Sequence, residues 1–137
     1  MKKQKSTLEN MEDYKIGDVL YGTDGYNRTD VYFYKVIDRT AKTLTIQPIE
    51  SKVVDGDPMR TYYVVADESK VREVRHFSHT EKGVFGVCRR YVTDSNPFKV
   101  RLDKNGTAVV RGNTQFDTQY LHIWDGTLKW ANTGFQC

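Results

Sequence analysis

The segment VYFYKVID at 31–38 constrains the fold of this chain more than any other, because six of its eight residues are β-branched or aromatic. Side chains of that kind suit a pleated strand and crowd the turn of a helix. A short polar connection at 39–42 follows, and then TLTIQPI at 43–49. There Leu44 and Ile46 alternate with Thr43, Thr45 and Gln47. A strand, a link of hairpin length and a second alternating strand predict an antiparallel pair. No helical period of 3.6 can be followed through the rest of the chain.

Further strands are expected at 18–21, 60–66 and 84–92, where Gly86 reads as a possible bulge. Turn signals separate them, notably DGDP at 55–58. Asn105-Gly106 sits between Val100, Leu102 and Ala108, Val109, Val110, and Asn-Gly readily takes the positive φ of a tight hairpin. A last strand carries Leu121 and Ile123, followed by a turn at Trp124-Asp125-Gly126 and then Leu128 and Trp130. The fold class expected is mainly β: a small curved sheet or barrel, SH3-like in its first half, with an added C-terminal β-hairpin. The 137 residues fit one domain, read as 14–137 behind a flexible segment 1–13.

Charge narrows the function classes only a little. The formal net charge is +3, and Lys2, Lys3 and Lys5 in the leading tail supply most of the excess. A domain built to hold a duplex usually concentrates more positive charge than that on one face. The start MKKQKSTLENMEDY lacks the apolar core of a secretory signal, and no apolar run reaches membrane-spanning length. The expectation is a cytoplasmic protein without a membrane partner. Its two cysteines, Cys88 and Cys137, read as free thiols, with Cys88 a small core residue beside Val87.

Motifs for catalysis or cofactors are weak. Gly22 and Gly25 flank Thr23-Asp24, but the spacing fits neither a P-loop nor a dinucleotide fingerprint. His76 and His79, with Cys88 beyond, lack the paired ligand spacing of a zinc site. No strained nucleophile turn surrounds Cys88. A non-catalytic protein without cofactor or metal is expected.

Two surfaces remain. The loop carrying Tyr26, Asn27, Arg28, Thr29, Asp30 and Tyr32 is dense in groups that stack or hydrogen-bond. It reads either as a binding surface, with Arg28 as partner for a phosphate or carboxylate, or as a turn whose tyrosines close one end of the barrel. The second surface is a basic one: Lys70, Arg72, Arg75, Arg89 and Arg90, interleaved with tyrosines. Such a set can stack on bases and neutralise phosphates. Asp67, Glu68, Glu73 and Glu81 share the neighbourhood, so a mixed solvated face is the competing reading.

The strings YKIGDVLY (14–21) and GYNRTDVYFYKV (25–36), with the later WDG (124–126), give one family pattern. They resemble small proteins of bacteriophages and prophages that share a YxxGD(I/V) start, a GY(D/E/N)xTN(V/I)xFYxV segment and a late WDG stretch. Asp30 stands where that family usually has Asn, and 68–98 looks additional. The resemblance implies a bacterial cytoplasm and an accessory gene of a phage or mobile element. It also implies action by binding a host bacterial protein or a small anionic ligand, possible inhibition of a host defence system included. Nucleic acid is the alternative partner, and strand edges leave self-association open.

Overall fold

In the computed structural model, which describes residues 13–24, 30–56, 61–111 and 118–132, every regular element is a strand. The first four form a meander: β1 (Val19–Asp24), β2 (Asp30–Arg39), β3 (Thr43–Gly56) and β4 (Thr61–Val71). All are antiparallel to their neighbours. After a projecting pair, β5 (Val74–Gly83) and β6 (Gly86–Asp94), come β7 (Phe98–Arg101), β8 (Ala108–Val110), β9 (Gln119–Ile123) and β10 (Lys129–Asn132). The main sheet runs β10-β4-β3-β2-β1-β9-β8, with β7 paired to β3.

β3 is long enough to serve two neighbours on one edge. Its first part, Thr43 to Ile46, pairs with β7, and its second part, Ile49 to Gly56, pairs with β4. β7 and β8 approach through a single bridge, Leu102 to Ala108, so the sheet curls without closing into a barrel. β2 is buried on both faces because its residues alternate between two cores. Tyr34 and Val36 join Tyr14, Leu20, Leu44, Ile46 and Leu121 inside the curl. Val31 and Phe33 turn the other way, onto Ile49, Val64 and Ala131.

A tyrosine pins the inner core. The Tyr14 hydroxyl, fully buried, donates to the Leu121 carbonyl at 2.6 Å and accepts the Ala108 N–H at 2.9 Å. Nearby, the Tyr34 hydroxyl donates to Gln119 Oε1 at 2.8 Å. Both hydroxyls are thereby satisfied where an unpaired one would be costly.

The structure adjusts three sequence expectations. The Asn105-Gly106 turn forms, with Gly106 at φ +83° and the Asp103 carboxylate accepting the N–H groups of Asn105 and Thr107. Its flanks part after one bridge, however, because β7 completes the edge of β3 while β8 pairs with β9. The added hairpin is β5–β6 instead, and β5 lies where only a basic stretch is evident in sequence. Gly86 is not a bulge: at φ +128° it closes the two-residue turn Val84-Phe85 opposite Gly83. The turn at Asp125 is as expected, its carboxylate accepting from Thr127 N–H and hydroxyl.

Candidate functional site

β5 and β6 pair only with each other, so 74–94 forms an arm apart from the main sheet. Its root is fastened by Arg72. The Arg72 side chain donates to the Ile49 carbonyl at 3.1 Å and the Phe33 carbonyl at 3.2 Å. Its guanidinium also lies 4.9 Å from the ring centres of both Tyr32 and Tyr34. The backbone N–H of Arg72 adds a bond to the Pro48 carbonyl, and Gln47 donates to the Ser95 carbonyl at 2.7 Å just past the returning strand. His76 sets its ring edge-on to Phe98, centroids 4.8 Å apart.

The alternation of a two-stranded ribbon gives the arm two chemically different faces. On one, Phe77 and Tyr91 stand opposite each other in register, and Arg75 and Arg89 lie to either side. The Arg75 guanidinium is 4.1 Å from the Tyr91 ring centre, and that of Arg89 is 4.8 Å from Phe77 and 5.8 Å from Tyr91. Lys82, opposite Val87, continues this face toward the tip. None of Arg75, Lys82 and Arg89 makes an ion pair with a described residue.

The other face holds the carboxylates. An extra residue, Ser78, shifts the register between Phe77 and His79 and puts His79 opposite Arg90. Arg90 donates to Glu81 at 2.8 Å, and His79 Nε2 lies 3.1 Å from the second Glu81 oxygen. Arg90 first, and His79 second, hold the Glu81 carboxyl below the usual carboxylate range. Asp94 lies 3.8 Å from His76 Nε2. Glu81 and Asp94 are the only carboxylates within 74–94, so the Arg75–Phe77–Tyr91–Arg89 face carries none. At the tip, Val84 is 93% and Phe85 103% exposed.

The five basic residues singled out from sequence are therefore dispersed. Arg75 and Arg89 converge on one aromatic face, Arg90 is neutralised by Glu81 on the reverse, and Arg72 is a half-buried clamp. Lys70 borders a shallow depression with Glu50, Lys52 and Asp67, away from the arm. Glu68 pairs with Lys35 at 3.1 Å. Phe77, Tyr91 and Lys82 are additional members that sequence reasoning missed; Arg-x-Phe at 75–77 and Arg-x-Tyr at 89–91, flanking Gly-Val-Phe-Gly, are the signal.

Of the loop set, Tyr26, Asn27, Arg28 and Thr29 lie outside the described residues. Asp30 opens β2, and Tyr32 is half-buried beneath Arg72. Cys88 is not a core residue. It sits exposed on the arm, whose two strands pair only with each other among the described residues. Among the described residues no group of three or more His, Cys, Asp or Glu is placed to hold a metal ion. No helix there is long and apolar enough to cross a membrane. No protein-family model matches the chain, and comparison with characterised proteins and with solved structures yields no match either.

Proposed function

We propose that this chain is a non-catalytic binding protein for single-stranded nucleic acid, with the β5–β6 arm as its contact surface. The observation that carries this reading is the carboxylate-free arm face on which Arg75 and Arg89 bracket Phe77 and Tyr91. Exposed Phe77 and half-buried Tyr91 can stack only on bases whose faces are open, which a duplex does not offer. Guanidinium groups held against rings are pre-oriented, so less side-chain entropy is lost when they meet phosphate. The modest net charge does not oppose this, because Glu81 and Asp94 lie on the other face of the arm and Glu68 pairs with Lys35.

The test is a salt titration of binding to an oligothymidylate. With Arg75, Lys82 and Arg89 as phosphate contacts, log affinity should fall against log salt with a slope of about −2, from roughly −0.7 per contact on single strands. The Arg75→Ala/Arg89→Ala variant should weaken binding and flatten that slope. Salt-independent or absent binding removes the reading.

A second reading is an accessory protein of a phage or mobile element that grips a host bacterial protein, including a component of host defence. The observation that favours it is the apolar tip, since fully exposed Val84 and Phe85 have no packing role among the described residues. Val84→Ser/Phe85→Ser would abolish capture of such a partner and leave oligothymidylate binding intact.

A further inference from the structure

Beside the arm root lies an open cleft of about 660 Å³, a size able to hold a small ligand or one unit of a polymer. Four separate segments deliver cations to it: Arg75 from β5, Lys42 from the β2–β3 turn, Lys99 and Arg101 from β7, and Arg111 beyond β8. The placement follows from the register. Thr45 pairs with Lys99 and Thr43 with Arg101, so the two cations are two residues apart on one face of β7. The Lys42 carbonyl accepts the Leu102 N–H at 2.9 Å and ties the turn to the same strand. The cleft wall includes apolar side chains such as Phe98 and Val109.

No described carboxylate lines this cleft, and none of its five Lys and Arg residues makes an ion pair with a described residue. By contrast, Lys35, Arg39, Arg90 and Lys129 each have a carboxylate within 3.7 Å. Like charges gathered around a concavity repel one another and raise the local concentration of anions. Arg75 and Phe77 line the cleft and also belong to the aromatic face of the arm, so the two are continuous.

We infer that this cleft is a phosphate subsite for the sugar–phosphate backbone of a strand whose bases stack on the arm. Lys99 and Arg101 are its central contacts, and Lys42 and Arg111 its flanks. The inference rests on the nucleic-acid reading above. The shared chemistry is a phosphate oxyanion beside an apolar sugar or ring, which a free nucleotide also has.

The experiment compares wild type, Lys99→Glu/Arg101→Glu, Arg75→Ala/Arg89→Ala, and a control reversal of equal charge at exposed Lys15 and Lys52, against one oligothymidylate over a salt series. Lys99 and Arg101 are exposed, so their replacement should leave the fold intact, checked by the melting temperature. The cleft reversal should lower affinity about tenfold or more beyond the control and reduce the salt slope by about 1.4, two contacts at roughly 0.7 each. Equal loss in the cleft and control variants would overturn the subsite while the arm reading stands, provided the arm variant has lost binding. Wild-type binding by the arm variant would instead remove the reading beneath it. Displacement of the bound strand by thymidine 5′-monophosphate, with saturation unaffected by Arg89→Ala, which lies outside the cleft, would assign the cleft to a free nucleotide and overturn the strand proposal.

Discussion

Phe77 and Tyr91 face each other across the arm with ring centroids 6.0 Å apart and planes at 76°. This edge-to-face pair is flanked by guanidinium groups and projects from a ribbon that shares no strand pairing with the other described strands. Its rings are therefore a surface held in place by cross-strand register rather than by a core.

Removing the rings should separate binding from stability. Phe77→Ala and Tyr91→Ala are each expected to weaken oligothymidylate binding by about 1–3 kcal/mol, the usual worth of one stacked base. Thermal unfolding of the main sheet should stay nearly unchanged, because neither ring belongs to a core cluster.

Arg72 should behave in the opposite way. Arg72→Ala deserts the Ile49 and Phe33 carbonyls and uncovers two tyrosine rings, and should cost about 2 kcal/mol in urea unfolding. Arg72→Lys should be almost as costly, since a single ammonium cannot span both carbonyls while lying on both rings. A neutral result for the alanine variant would show that the arm root is fastened by other contacts.

The Tyr14 hydroxyl gives a cleaner stability test. Tyr14→Phe keeps the ring but strands the Leu121 carbonyl and the Ala108 N–H in a dry core. A loss of about 1–3 kcal/mol is expected in chemical denaturation, with the cooperative transition retained.

On the carboxylate face of the arm, Glu81 has its pKa depressed by Arg90 and, less strongly, by His79. A depressed folded-state pKa stabilises the arm fully above the ordinary carboxylate range and ceases to do so as pH falls through the depressed value. Arg90→Ala should move the Glu81 titration midpoint upward, measured by NMR of the side-chain carboxyl. An unmoved midpoint would mean the ion pair is not formed in solution.

Much of the fold was legible in sequence because the first strands are local and periodic. The alternation of Leu44 and Ile46 with Thr43 and Thr45, and the aromatic run of β2, dictate both the strands and their pairing. The division of β3 between β4 and β7 was not legible, since edge sharing is a long-range choice that no local signal encodes. The arm was half visible: β6 carries Val87, Cys88, Tyr91 and Val92 and reads as a strand, but β5 mixes His, Ser, Thr and charge and reads as a solvated stretch. Misjudging Cys88 as core has the same origin, because an apolar strand normally implies something packed against it. Face-level charge was also hidden, as Glu81 is close to Arg89 and Arg90 in sequence and pairs only with the latter.

The most direct measurement is fluorescence anisotropy of a labelled oligothymidylate titrated with the protein at several salt concentrations, alongside a duplex of the same length. The account predicts preferential binding of the single strand, a log–log salt slope near −2 or steeper, and loss of that binding in Arg75→Ala/Arg89→Ala. No binding at low salt, or equal binding by that variant, would contradict it.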